Sequence, residues 1–150
     1  MKEIYLDHAS TTYVRDEVLG IMNKYFQDEY GNPGSFHTIG LRPKRAMAKA
    51  RELVRDIINA KRVEEIIFTG SGTESVNLAI KGITEKYDTG HIIISTIEHE
   101  AVTETLYYLE HTKGWDVTKV PVDKYGLVNP KDVEDAIRPD TKLVTIMYAN

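Results

Sequence analysis

The sequence predicts an α/β protein, a mostly parallel sheet with helices on both faces, and two observations carry that prediction. From Glu65 onward strand-like and helix-like stretches alternate. A strand at Glu65–Thr69 precedes a helix at Thr73–Lys86, a strand at His91–Ser95 and a helix from about Glu100 to His111; a strand at Trp115–Val122, a helix at Pro130–Ile137 and a strand at Lys142–Tyr148 complete the series. Four strands separated by three helices is the pattern of parallel strands joined by helical crossovers. The totals agree: 150 residues, 41% apolar and 28% charged, are the size and balance of one soluble globular unit.

The stretch before Glu65 is less regular. Ile4-Tyr5-Leu6 gives a short strand signal, and the polar run Asp7 to Thr12 reads as an ordered loop. Asp16 is a candidate cap for a helix in which Val18, Leu19, Met22, Tyr25 and Phe26 recur at three- and four-residue spacing, through about Gln27. Tyr30 to Gly40 holds three glycines and a proline in eleven residues, the punctuation of a loop. A second helix is expected from Leu41 to about Ala60, with Ala46, Ala50, Leu53, Val54, Ile57 and Ile58 inward and a basic face outward; such a face reads as solvated.

Charge and composition exclude several functions. A net charge of -4 and a pI near 5.7 leave no positive field for a phosphate polymer, so no nucleic-acid partner is expected. The early acidic residues and the absence of any long apolar run argue for a cytoplasmic protein without a membrane partner. There is no cysteine, hence no disulfide, no thiolate metal site and no sulfur nucleophile in this chain.

In parallel sheets ligands collect beyond the carboxyl ends of strands, so the turns after Thr69, Ser95 and Tyr148 are the places to seek chemistry. In the first, Thr69-Gly70-Ser71-Gly72-Thr73-Glu74 leads into a helix, with Ser71 and Glu74 at capping-box spacing. A helix head with glycines beside it suits a phosphate. The alternative is a tight turn with a good cap. No Walker lysine follows and the third glycine of the dinucleotide fingerprint is missing, which leaves a smaller phosphate ester.

In the second turn His99 stands at the next strand-to-helix junction, on the same sheet edge as Thr73. An imidazole there can stack on a flat heterocycle or pass protons; equally it can be a helix-start residue paired with Glu98 or Glu100. His91 and His111 read as structural, and His8 and His37 lie in polar loops with no local base. No two histidines stand at ligand spacing on a helix, so no metal centre is expected.

Together these segments resemble the cysteine desulfurases of iron-sulfur cluster assembly, fold type I pyridoxal-phosphate enzymes of the class V aminotransferase branch. Tyr5-Leu6-Asp7-His8-Ala9-Ser10-Thr11-Thr12 is similar to that family's amino-terminal motif, and Tyr30-Gly31-Asn32-Pro33 through Ser35, His37 and Gly40 to its Gly-Asn-Pro-x-Ser-x-His loop. Ile67 to Ala79 resembles its phosphate turn, and Glu98-His99-Glu100-Ala101-Val102 its Glu-His-x-Ala-Val. Departures are mild: Gly70-Ser71-Gly72 stands where Ser-Gly-Ala is frequent, and Glu100 where lysine is frequent.

The resemblance implies that Gly72 and Thr73 bind the phosphate of pyridoxal 5'-phosphate and that His99 stacks on its ring and helps move protons. It implies residues 1–15 as the amino-terminal segment of a small domain and 16–150 as the first, incomplete part of the cofactor-binding large domain. It further implies L-cysteine as substrate, alanine and an enzyme persulfide as products, an iron-sulfur scaffold or other sulfur acceptor as partner, and a homodimer. The chain corresponds to less than half of a family member. The lysine that holds the cofactor covalently, the aspartate of the pyridine nitrogen and the sulfur-accepting cysteine have no counterpart in it, so the remainder of an enzyme chain is an expected partner and the 150 residues alone are expected to be inactive. Selenocysteine lyase, another enzyme of the same branch, and a non-catalytic fragment or partner-binding module are the alternatives.

Overall fold

The computed structural model describes residues 3–150 and divides the chain into two compact units, Met1–Ile67 and Phe68–Asn150. The first unit holds helices α1 (Asp16–Gln27) and α2 (Thr38–Ile57) and a 3₁₀ turn at Val63–Glu65. Asp16 is not the cap of α1: Arg15 takes that position without a side-chain bond, and Asp16 and Glu17 sit in the first turn, where negative charge complements the helix dipole. α2 begins at Thr38, inside the predicted loop, because the His37 ring accepts the Gly40 N–H at 3.3 Å and caps it.

Two glycines let the preceding loop fold onto that first turn. A β-carbon on Gly31 would lie 2.2 Å from the Ile39 carbonyl oxygen, and one on Gly40 would lie 2.5 Å from that of Asn32. Pro43, buried in α2, has no N–H for the Ile39 carbonyl four residues back, so the helix begins with that oxygen released from the ladder. The inward face expected of α2 is only partly realised: Leu53, Ile57 and Ile58 are exposed.

Two predicted strands do not form. Ile4-Tyr5-Leu6 is irregular, with Ile4 and Leu6 exposed, and Glu65–Thr69 is replaced by the end of the 3₁₀ turn and an irregular run outside the sheet in which Ile67 and Phe68 are exposed. Both have strand-like composition, and neither has a pairing neighbour among the described residues; a strand exists only through its ladder. Of the four strands in the predicted alternation, three form among the described residues.

The second unit contains α3 (Gly72–Thr84), β1 (His91–Ser95), α4 (Glu100–Lys113), β2 (Asp116–Val120), α5 (Pro130–Ala136) and β3 (Thr141–Thr145). The strands are parallel in the order β2-β1-β3. The chain steps from β1 to one neighbour through α4, then back across β1 through α5. β1 is the central strand, paired on both sides, and all five of its residues are buried. Ile92 and Ile94 pack with Ile80 of α3, with Val102, Leu106 and Leu109 of α4 at helical spacing, and with Trp115. Gly114, at φ 67, ends α4 in the left-handed region, and Asn129 caps α5 ahead of Pro130. No helix among the described residues is long and apolar enough to cross a membrane.

His91 is structural, as expected, and its role is specific. Its Nδ1 bonds the Thr141 hydroxyl and its Nε2 the Thr118 hydroxyl, both at 2.8 Å, so one fully buried ring joins the central strand to both neighbours. Burial, with the Arg138 charge second, lowers its pKa below the ordinary value of about 6.5. The folded state thus holds His91 neutral while the unfolded chain takes up a proton below about pH 6.5, so stability is full above that pH and declines as pH falls through it. Urea unfolding of the polypeptide between pH 5 and 8 should show stability falling on the acid side. His91→Gln should flatten that slope.

Candidate functional site

The head of α3 is built by its own sequence. Ser71 is fully extended (φ -163, ψ 164) and its hydroxyl accepts the Glu74 N–H at 3.1 Å, while the Glu74 carboxylate reaches back to accept the Gly70 N–H at 2.7 Å. This is the expected reciprocal cap, displaced by one residue on the carboxylate side. It leaves the N–H groups of Gly72 and Thr73, and the Thr73 hydroxyl, without a partner among the described residues. A side chain on Gly72 would meet nothing within 4 Å, so the space beside those amides is open.

His99 heads α4 in the same way. Its Nδ1 accepts the Ala101 N–H at 3.0 Å, which requires a lone pair on Nδ1 and puts the ring proton on Nε2. Neither Glu98 nor Glu100 bonds the ring. The carboxylate of Glu98 instead takes the Ser95 hydroxyl at 2.5 Å and the Met147 N–H at 2.9 Å.

α3 and α4 pack side by side, and between their amino-terminal halves lies a groove of about 480 Å³ that both Thr73 and His99 line. Gly72 adjoins Thr73 at the helix head. Asn77 and Lys81 continue the wall on α3, at four-residue steps from Thr73, and Glu100, Glu104 and Tyr108 do so on α4. Asn77 donates to the Thr73 carbonyl at 3.0 Å, and the Lys81 ammonium lies 5.4 Å from the Tyr108 ring centre. Those four-residue steps on two adjacent helices are the sequence signal that Lys81 lines the groove.

His8 and His37 belong to the first unit, where His8 meets the Tyr5 ring edge-on at 5.0 Å and His37 caps α2. His111 lies in the last turn of α4 against Tyr107, with its Nδ1 2.9 Å from the Tyr107 carbonyl. Among the described residues no group of histidines and carboxylates is arranged to hold a metal ion.

The donors fit an organic phosphate carrying a flat ring. Unpartnered amides and a hydroxyl at a positive helix end suit the phosphate, the space around Gly72 is open, and an imidazole heads the neighbouring helix.

The parallel sheet, with a groove lined by the first residues of two helices, one of which follows the central strand, defines an α/β protein with a candidate site at that strand's end. More narrowly, the chain belongs to the aminotransferase class-V family, whose model matches residues 4–150. It is 45% identical to cysteine desulfurase IscS of Dictyoglomus turgidum over 99% of its length, and 48% identical to that of Methanosarcina thermophila over 99%. It spans only 38% and 37% of those relatives. Among solved structures, a NifS-like protein superposes with a TM-score of 0.94 at 40% identity, covering 99% of this chain and 41% of that one. A chain described as SspA in complex with cysteine gives 0.89 at 40% identity, over 95% of this chain and 41% of that one.

Proposed function

We propose that the chain carries the phosphate cradle and ring-covering histidine of a pyridoxal-phosphate-dependent cysteine desulfurase. The groove lined by both Thr73 and His99 is the observation that supports it most. The kinship with cysteine desulfurases, and with a structure described as holding cysteine, favours L-cysteine as substrate over selenocysteine.

Gly72 and Thr73 would bind the phosphate through their backbone amides and the Thr73 hydroxyl. His99 would cover the pyridine ring and present Nε2, the ring atom not committed to the helix cap, as the place where a proton is held or passed. Pyridoxal phosphate, when bound, supplies an electron sink for charge developing at the α-carbon of an amino acid. In the reaction the substrate C–S bond breaks, its sulfur joins an enzyme cysteine as a persulfide, and alanine leaves. That cysteine and the cofactor lysine would come from the rest of the enzyme chain. Residues 1–15 would belong to its small domain and 16–150 to its large one. The whole enzyme would be a cytoplasmic homodimer that hands sulfur to an iron-sulfur scaffold.

The test is an assay of the polypeptide from the full reading frame, supplied with pyridoxal phosphate, L-cysteine and a thiol reductant. Alanine and sulfide should appear in equal amounts, and the 150-residue chain alone should produce neither. No alanine from the full polypeptide, or alanine from the short chain, would overturn the reading.

A further inference from the structure

The loop Thr96 to His99, between β1 and α4, is held from β3 and the segment that follows it. One oxygen of the Glu98 carboxylate accepts both the Ser95 hydroxyl, from the end of β1, and the Met147 N–H, from just past β3; Asn150 adds a bond from its side-chain amide to the Ile97 carbonyl at 2.9 Å. Ser95 is buried, so its hydroxyl needs an acceptor, and loss of the carboxylate would leave it and the Met147 amide without these bonds. Glu98 immediately precedes His99, whose own ring bond to Ala101 starts α4.

We propose that Glu98 is a positioning residue. It does not touch the groove; by tying the ends of β1 and β3 with one oxygen it fixes where the His99 ring stands and how the chain leaving β3 passes beside it. This deepens the desulfurase reading and rests on it for the task of His99. A displacement of about 1 Å at a reacting group can cost about 10²-fold in rate, so the tie has catalytic leverage without chemistry of its own.

The experiment uses the polypeptide of the full reading frame with Glu98→Ala and Glu98→Gln, the second keeping an acceptor oxygen in place without the charge. Amide hydrogen exchange is read first, without cofactor. Glu98→Ala should speed exchange at Met147 and also at Ala101 by about tenfold, and Glu98→Gln should restore both. With pyridoxal phosphate, Glu98→Ala should lower kcat for cysteine by about 10- to 100-fold with KM and cofactor loading little changed, and Glu98→Gln should recover most of it. Unchanged exchange at Ala101 in Glu98→Ala, or no recovery in Glu98→Gln, overturns the proposal. Should Glu98→Ala fail to fold, Ser95→Ala removes one of the two bonds and must still speed exchange at Ala101, or the proposal falls. Absence of cysteine turnover in the unsubstituted protein would instead overturn the desulfurase reading, while the exchange data still decide whether Glu98 holds His99.

Discussion

Exchanging His99 for asparagine in the full-length polypeptide should leave the fold intact and lower kcat/KM for cysteine by about 10²- to 10⁴-fold. Asparagine is among the best residues at a helix start, so its side-chain oxygen can take the Ala101 N–H that the ring now accepts. What it cannot supply is a ring face or a titratable nitrogen. The substitution therefore separates the cap, which α4 needs to begin, from the imidazole, which only the chemistry needs. Urea unfolding should give a stability within about 0.5 kcal/mol of the parent, the range of a surface change away from special features. A variant that unfolds early would show that His99 serves the helix; one that is stable and fully active would remove it from the mechanism.

Gly72→Pro should weaken pyridoxal phosphate binding about 10- to 100-fold, the range for one lost hydrogen bond to a charged group. Proline suits the first position of a helix, where its missing N–H has no helical partner, and Ser71 before it is already extended, as a residue before proline prefers. A β-carbon at Gly72 would meet nothing within 4 Å, so that atom of the ring has room. The variant thus removes one amide from the proposed cradle and little else. Gly72→Ala is the control, since it adds a methyl group to empty space and keeps the N–H. Cofactor titration of both should show loss in the first alone. Equal affinity in the two would mean that the phosphate does not sit on this helix head.

The parts of the fold that were legible in the sequence are those set by neighbours in the chain. Ser71 with Glu74, the helix start at Pro130 and the run His91 to Ser95 each specify an element within a few residues, and these elements form close to where expected. The failures have a common cause. Ile4 to Leu6 and Glu65 to Thr69 look like strands, but a strand is completed by a partner that no local pattern reports. The start of α2 was hidden because Gly40, after the other glycines and Pro33, signals a loop in general and is here tolerated by one particular packing of Gly31 against Ile39.

The site divides along the same line. The strand-to-helix order put Thr73 and His99 near each other, and they line one groove, although the strand expected before Thr73 does not form. Glu98 could not be understood that way, because its partner Met147 lies 49 residues further on and the bond exists only once β1 and β3 are adjacent. From sequence, Glu98 or Glu100 could pair with His99; the fold assigns Glu98 to the strand ends instead.

A crystal structure of the full-length polypeptide with pyridoxal phosphate bound tests the central claim most directly. The phosphate should lie within hydrogen-bonding distance of the Gly72 and Thr73 amides, with the pyridine ring against the face of His99. A cofactor bound with its phosphate elsewhere, and with the His99 ring away from the pyridine, would contradict the account.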